Sequence, residues 1–334
     1  GFGQIFTDHI LYMEFDRAKG GWGPAEIRPY GLLNLEPGSA CLHYGQIVWD
    51  GLKCYRSEDG LRLFRPRENF KRLNYSARRM CMPEVDVEYM LAALKELLKV
   101  EARWVPKTLG TSLYIRPCML ASEPFLGLHK ANRYILFIML SPSGPYFKEG
   151  FKPVKILVED KYVRAAIGGT GEAKTAGNYA ASLKSTDEAM EKGFSQTLWL
   201  DACERKYIEE VGAMNMAFVI NGEVVTPPLN GSILAGITRK SILEICKHLN
   251  IPAVERKISI GEVIKGIQNG NLTEAFGMGT AAIIAPVGSI YYKENNYTIN
   301  NFEVGPIATQ LYQELTGIQY GSKPDIFGWI EKVE

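Results

Sequence analysis

The 334-residue chain has few histidines, no cysteine cluster and no long apolar run. Its four histidines are scattered and do not indicate a metal site. Its six cysteines show no CxxC spacing, which argues against a zinc site or a disulfide framework and favours a reduced, intracellular setting. The longest purely apolar run, 134–140, is far shorter than the ~20 residues that a membrane-spanning helix needs.

The chain also lacks an excess of either charge, with 38 Lys plus Arg against 37 Asp plus Glu and a net charge of +1. Such a balance gives no field that would attract nucleic acid or an anionic membrane, so we expect a small-molecule partner. Hydrophobic residues make up 46% and charged residues 22%, as in ordinary globular proteins. The length predicts two domains.

Periodicity predicts a mixed α and β fold in the first part of the chain. Apolar residues recur at helical spacing over 67–80 and 87–102, whereas 112–120 and 133–140 are typical of strands. Three prolines and two glycines within 141–153 indicate a connection. We therefore predict an N-terminal α/β domain at 1–143, an interdomain loop at 144–153 and a C-terminal domain at 154–334.

The second part carries clear punctuation signals. The pattern predicts strands at 154–159, 195–201 and 272–276, a hairpin at Asn221-Gly222, a helix from Gly236 to 249, and a small-residue turn at 277–281. Asn178 is expected to cap a helix that ends at Gly193.

The most informative segment is Gly-Gly-Thr-Gly-Glu-Ala-Lys-Thr-Ala-Gly-Asn-Tyr at 168–179, in which Lys174 stands among small residues. Such a lysine serves either as a point charge in a phosphate-binding loop or as an amine that forms an imine with a carbonyl cofactor. A solvated, flexible loop is the third interpretation, since Gly-rich loops are common.

The phosphate-loop interpretation rests on a near match. The segment 168–175 differs by one residue from the GxxxxGK[ST] pattern, and Asp201 follows an apolar run as a magnesium-binding Asp would. Against it, Ala173 replaces the glycine before the lysine, and 161–167 is too short and broken for a core strand. The sequence favours the other chemistry.

A carbonyl-cofactor site needs a neutral lysine, a carboxylate for a pyridine nitrogen and a phosphate cradle. Glu209-Glu210 offers the carboxylate, and because adjacent residues on a strand point to opposite faces, only one of them is expected to face inward. The helix start at Gly236 and the 277–280 turn offer amides and hydroxyls for a phosphate.

These residues resemble the branched-chain aminotransferases, pyridoxal-phosphate enzymes of fold type IV. The resemblance is carried by Phe-Thr-Asp-His at 6–9, Leu-His-Tyr at 42–44, Leu-Phe-Arg-Pro at 63–66, the segment 110–117, Glu-Val-Gly at 210–212 and Ile-Gln-Tyr-Gly at 318–321. Asn178-Tyr179 and the segment 226–231 are similar to the animal and related eukaryotic type. The resemblance implies a homodimer with a smaller N-terminal α/β domain and a larger C-terminal pseudo-barrel domain that binds pyridoxal 5'-phosphate.

The resemblance also implies the roles of individual residues. Lys174 would form the imine and move the proton, Glu210 would face the pyridine nitrogen and Tyr179 the phenolic oxygen. Arg65, Ile237, Thr238 and Thr280 would hold the phosphate, and Arg164 would lie near the rim of the cofactor. The substrate pocket would be lined by Phe6, Tyr44, Trp49, Tyr114, Ala213 and Ala281, with Leu128 from the partner subunit, and Arg116 would receive the distal carboxylate of glutamate.

The implied activity transfers the amino group of L-leucine, L-isoleucine or L-valine to 2-oxoglutarate. Ala213 and Trp49 replace the Thr and Phe of many relatives, so the preference among the three substrates stays open. Rival functions are a D-amino acid transaminase or an aminodeoxychorismate lyase of the same fold, or a nucleotide-binding switch. The expected compartment is the cytoplasm or the mitochondrial matrix.

Overall fold

Residues 2–144 and 151–334 are described by a computed structural model, and they group into two units. As far as they are described, Gly1–Tyr146, Ala173–Ala176 and Gly317–Glu334 form the first unit, and Phe147–Glu172 and Gly177–Thr316 form the second. The predicted division at 144–153 stays a prediction, and residues 145–150 of that loop lie outside the described residues. The grouping differs from it by placing 173–176 and 317–334 with the first unit.

The first unit is built on an antiparallel sheet whose order is β18-β6-β5-β7-β8-β1-β2, with β3 on β1 and β4 on β7. The strands are β1 His9–Asp16, β2 Gly21–Trp22, β3 Glu26–Pro29, β4 Ile47–Trp49, β5 Leu52–Ser57, β6 Gly60–Phe64, β7 Ser112–Ala121, β8 Arg133–Ser143 and β18 Ile330–Val333. The helices are α1 Ala40–Tyr44, α2 Pro66–Arg79 and α3 Val87–Val100, with short 3-10 segments at Arg17–Lys19 and Ala102–Trp104.

Helices α2 and α3 pack on one face of this sheet. Pro66 opens α2, where a missing N–H costs nothing, and Phe70, Leu73 and Ala77 repeat at helical spacing and are fully buried. Asp86 caps α3 by accepting a hydrogen bond from Tyr89 N at 2.7 Å. The predicted helices and strands of this part are confirmed.

The second unit contains a sheet of order β11-β10-β9-β16-β15-β12-β13-β14, with β17 on β16. Because β11 also pairs with β12, six of these strands close into a ring. The strands are β9 Val154–Glu159, β10 Gln196–Leu200, β11 Ile208–Val211, β12 Met214–Ile220, β13 Glu223–Thr226, β14 Ala253–Glu255, β15 Leu272–Gly279, β16 Ile283–Tyr292 and β17 Asn295–Thr298. The helices are α4 Ala176–Ala180, α5 Leu183–Glu191, α6 Ile237–His248, α7 Ile260–Gln268 and α8 Pro306–Tyr320, with a 3-10 segment at Asn300–Phe302.

Local signals of the second unit are partly confirmed. Asn221 and Gly222 both have positive φ, of 51° and 80°, as a type I′ hairpin between β12 and β13 requires. The helix predicted from Asn178 was wrong, because α4 and α5 are separate and Asn178 lies inside α4. The turn predicted at 277–281 was also misplaced, since β15 continues through Gly279 and the turn occupies 280–282.

No helix within 2–144 and 151–334 is long and apolar enough to cross a membrane.

Candidate active site

Lys174 belongs to the first unit because its short segment, Ala173–Ala176, is bonded to the surroundings of β4. The Lys174 amide donates a hydrogen bond to Ser76 Oγ at 2.9 Å, and the Lys174 carbonyl accepts one from Trp49 N at 3.1 Å. Thr175 forms a β-bridge to β4. The main chain of the lysine is held from two sides, which argues against a solvated, flexible loop.

The structure also argues against a phosphate-binding loop. Strand β9 ends at Glu159, and 161–167 form no strand, so the loop lacks the strand that should lead directly into it. Asp201, the would-be magnesium ligand, accepts hydrogen bonds at 2.7–3.1 Å from the amides of Cys203, Glu204, Lys206 and Tyr207. Its carboxylate therefore closes its own loop.

A buried ion pair that the sequence analysis missed anchors the segment after β4. Asp50 is fully buried, and its two oxygens accept from Arg72 Nε at 2.9 Å and from an Arg72 terminal nitrogen at 2.8 Å. Asp50 Oδ1 also accepts from Gly51 N at 2.7 Å. This pair ties the end of β4, which binds the Lys174 carbonyl, to α2, which carries Ser76. An acid 22 positions before an arginine leaves no local signal in the sequence.

Three of the predicted substrate residues come together on the sheet of the first unit. Arg116 donates to the Tyr114 hydroxyl at 2.8 Å, and its guanidinium carbon lies 5.8 Å from the centre of the Trp49 ring. Gly51 is required beside them, because a Cβ there would overlap the Tyr114 hydroxyl. The cluster presents a cation, a phenol and an indole side by side.

The other first-unit predictions lie apart from this cluster. Phe6 stacks on Tyr30 at 5.0 Å, and the Tyr44 hydroxyl donates to Leu126 O. Leu128 is 84% exposed, so it contributes nothing to a pocket of its own chain. Arg65 is buried, with Nε 2.6 Å from Glu68 Oε1.

Glu210 is the centre of a buried polar group in the second unit. Its Oε2 lies 2.8 Å from Arg164 Nε, and its Oε1 accepts from Asn215 Nδ2 at 3.0 Å and from Leu234 N at 3.2 Å. The Arg164–Glu210 contact is an ion pair without hydrogen-bond alignment at Nε. One cation and two N–H donors therefore favour the ionised form of this carboxylate.

The expectation that only one of the adjacent glutamates lies inside the protein was wrong. Glu209 and Glu210 are each 3% exposed, because both faces of β11 are covered. Burial raises the pKa of Glu209, although the Ser232 hydroxyl and the Arg164 charge oppose this effect.

The start of α6 is open for an anion. Gly236 precedes it without a side-chain cap, and a Cβ at Gly236 would overlap Asn215 Oδ1. Ile237 and Thr238 are the first two helical residues, and the amides of a first turn have no partner within a helix. Asn215 thus touches both the Glu210 carboxylate and the helix start.

The remaining predicted residues of the second unit are more scattered. Tyr179 lies in α4, whose Asn178 exchanges two hydrogen bonds of 2.8 Å with Thr170 and so fixes the glycine-rich loop. Ala213 follows β11 and is exposed. Thr280 and Ala281 are half-buried in the turn after β15.

Comparison with known proteins decides the family. The profile of the family described as Amino-transferase class IV matches residues 51–290. The chain belongs to the class IV aminotransferases. It is 54% identical to branched-chain-amino-acid aminotransferase 2 of Bacillus subtilis (strain 168) over 333 residues, which cover 99% of this chain and 92% of the relative.

Solved structures of class IV aminotransferases share the fold. The crystal structure of the Escherichia coli branched-chain amino acid aminotransferase matches with a TM-score of 0.83 at 28% identity and covers 98% of this chain and 100% of the other. A thermophilic branched-chain amino acid aminotransferase complexed with N-(5'-phosphopyridoxyl)-L-glutamate, from the organism abbreviated T.th., matches with a TM-score of 0.82 at 25% identity, covering 99% and 100%. The predicted mixed α/β, two-domain fold type is confirmed. The Bacillus and Escherichia relatives are bacterial, so they give no support to the eukaryotic type inferred from 226–231.

Proposed function

We propose that this class IV aminotransferase transfers the amino group of L-leucine, L-isoleucine or L-valine to 2-oxoglutarate with pyridoxal 5'-phosphate, giving a branched 2-oxo acid and L-glutamate. The observation that carries the proposal is the 54% identity, over 99% of this chain, to an enzyme named for branched-chain amino acids. The structural neighbour complexed with a phosphopyridoxyl-glutamate supports the cofactor and the second substrate.

The residues of the second unit fit the cofactor. A protonated pyridine nitrogen needs a carboxylate that stays ionised, and Glu210 has an arginine and two N–H donors around it. A phosphate needs amides that no side chain occupies, and Gly236 leaves the start of α6 uncapped in a place where a Cβ would not fit.

Bound pyridoxal phosphate would supply the electron sink for breaking the bond between Cα and its hydrogen. Lys174 would hold and return that proton at Nζ, and its main chain is fixed by Ser76 and Trp49. Glu210 would keep the pyridine nitrogen protonated, and Tyr179 would donate to the phenolic oxygen. Arg164 would balance the charge of Glu210.

The phosphate contacts are assigned to both hydroxyl and amide donors. We infer that the amides of Ile237 and Thr238 and the hydroxyls of Thr238 and Thr280 bind the phosphate oxygens, and that Arg65 adds a cation. The α6 dipole would stabilise the phosphate charge further.

Substrate selection is assigned to the aromatic and cationic cluster of the first unit. Trp49 and Tyr114 offer apolar faces to an aliphatic side chain, and Arg116 offers a guanidinium to the distal carboxylate of glutamate. Phe6, Tyr44, Ala213 and Ala281 would complete the pocket. One pocket would thereby accept both substrates in turn.

We further propose a homodimer in which Leu128 lines the pocket of the partner subunit. Phe125, Leu126 and Leu128 are 51%, 69% and 84% exposed in the single chain, and such an apolar group is typical of an interaction site. Sedimentation velocity should give a dimer, and Leu128→Ala should raise the Michaelis constant for leucine without dissociating it.

The cytoplasm is the compartment that the comparisons favour. The Bacillus and Escherichia relatives come from bacteria, which have no mitochondria. The mitochondrial alternative therefore has no support.

The decisive test is Lys174→Ala. The variant should lose turnover of leucine with 2-oxoglutarate, together with the visible absorbance of the lysine-bound cofactor and the borohydride-trapped pyridoxyl adduct. Persistence of the adduct on another side chain would overturn the assignment. A panel of L- and D-amino acids separates the proposed activity from a D-amino acid transaminase, and 4-amino-4-deoxychorismate separates it from a lyase of the same fold.

A further inference from the structure

Glu209 is a buried acid for which the mechanism above has no role. It precedes Glu210 on β11, points to the opposite face of the strand and is 3% exposed. Its Oε1 contacts the Ser232 hydroxyl. Its Oε2 is buried and makes no hydrogen bond with any residue within 2–144 or 151–334.

The Ser232 hydroxyl stands between two acceptors. On one side is Glu209 Oε1, and on the other is Asn230 Oδ1, 2.7 Å from Ser232 Oγ. The orientation of the Asn230 amide is fixed, because Oδ1 also accepts from Ser232 N at 3.0 Å and an NH2 group in its place could not accept.

A hydroxyl has a single proton to donate. If Ser232 donates it to Asn230, an ionised Glu209 would present a charged oxygen to the lone pairs of Ser232. A protonated Glu209 removes this conflict, because it donates to Ser232 Oγ while Ser232 donates to Asn230. It also leaves Oε2 as a neutral carbonyl oxygen, whose burial without a partner costs less than that of a charged carboxylate oxygen.

Ser232 connects Glu209 to the ion pair at the cofactor carboxylate. The Ser232 carbonyl accepts from a terminal nitrogen of Arg164, and the same nitrogen donates to Gly171 O at 3.1 Å. Arg164 Nε in turn lies 2.8 Å from Glu210 Oε2. The close approach of the two loops requires Gly171, where a Cβ would overlap the Ser232 carbonyl.

We propose that Glu209 is a neutral carboxylic acid that donates its proton to Ser232 and thereby positions Arg164 against Glu210. Glu209 is a positioning residue, and the pairing of adjacent glutamates divides their work: one is held neutral to fix the loop, and the other is held charged. The role toward Glu210 rests on the proposed function, whereas the protonation state of Glu209 does not.

The charges around Glu209 are compatible with this state. Arg164 favours the ionised form and Asp201 opposes it, while burial, the largest influence, raises the pKa of Glu209. Arg164 is already paired with Glu210, so a neutral Glu209 leaves one cation facing one anion.

Infrared spectroscopy of the cofactor-loaded protein at neutral pH tests the protonation state directly. The difference between the wild type and Glu209→Gln should contain the carbonyl stretching band of a protonated carboxylic acid. The matched control is Glu274→Gln, since Glu274 is similarly buried but accepts from two backbone amides, of Ile307 at 2.9 Å and Ala308 at 2.8 Å. Its difference spectrum should lack that band. Absence of the band from the Glu209→Gln difference would overturn the proposal, whatever reaction the enzyme catalyses.

Cofactor affinity tests the positioning role. Glu209→Gln keeps a donor for Ser232 and should bind pyridoxal phosphate within about twofold of the wild type, whereas Glu209→Ala should bind it about tenfold more weakly, as the loss of a buried hydrogen-bond partner implies. The visible absorbance band of Glu209→Gln should titrate with pH as in the wild type. An equal loss of affinity in both variants would show that the charge of Glu209, and not its proton, is needed.

Discussion

The buried pair of Asp50 and Arg72 gives the sharpest stability prediction. Asp50 is fully buried, the Arg72 side chain is 10% exposed, and two charge-assisted hydrogen bonds of 2.8 and 2.9 Å join them. Asp50→Ala removes one partner and leaves the guanidinium uncompensated, which typically lowers the free energy of unfolding by about 3–5 kcal/mol. For a domain of roughly 150–250 residues, this corresponds to a fall in melting temperature of roughly 6–20 °C.

The double variant Asp50→Ala, Arg72→Leu separates a structural anchor from a merely present ion pair. It leaves no buried charge at this pair, so more than half of the lost stability should return. The control is Glu188→Ala, which removes the partner of Lys184 at 3.1 Å on the surface of α5 and should leave the melting temperature unchanged. Melting is followed by near-ultraviolet circular dichroism at fixed cofactor concentration. A single variant as stable as the wild type, or a double variant no more stable than the single, would refute the reasoning.

Three further predictions concern recognition, the cofactor and pH. Arg116→Leu should raise the Michaelis constant for 2-oxoglutarate by roughly 10–100-fold, the value of a hydrogen bond to a charged group, and change that for leucine far less; equal effects on both would contradict the assigned role. Gly236→Ala should weaken binding of pyridoxal phosphate about tenfold in a fluorescence titration, because its Cβ displaces Asn215 Oδ1, while Gly31→Ala, whose Cβ meets open space, should leave binding unchanged. Burial lowers the pKa of Lys53 from 10.5 to about 7, so the unfolded chain binds a proton that the folded protein lacks between these values, and the stability due to this group falls as the pH falls from 10.5 to 7; Lys53→Met should therefore raise the denaturation midpoint more at about pH 7 than at about pH 10, and a gain independent of pH would count against it.

Much of the fold could be predicted because its signals are local. The Asn221-Gly222 hairpin follows from the ability of both residues to adopt positive φ, and α2 follows from the spacing of Phe70, Leu73 and Ala77. Lys174 could be singled out because a long cation among small residues is unusual, whatever surrounds it. The error at Asn178 is also local in origin, since its side chain has two possible uses and the structure selects the bonds to Thr170.

The parts that could not be predicted depend on residues far apart in the sequence. Ser76 is an ordinary polar position on an amphipathic helix until the segment at Lys174, 98 residues later, bonds to it. Burial of both faces of β11 is equally invisible, because alternation distinguishes the faces of a strand but not whether each is covered. The neutral role proposed for Glu209 could therefore not be derived from the Glu-Glu pair alone.

The anchoring of Lys174 follows from what an amine must do in such a site. A long, flexible side chain can reach a reacting atom and return the proton to it only if its Cα is fixed, since each unfixed main-chain dihedral would enlarge the volume that Nζ explores. The chain fixes this Cα through the amide and the carbonyl of the same residue, one bound to Ser76 on α2 and the other to Trp49 at the end of β4. Because the Asp50–Arg72 pair ties those two elements together, the two anchors cannot move independently. A loss of turnover in Asp50→Ala larger than its loss of folded protein would be the direct consequence.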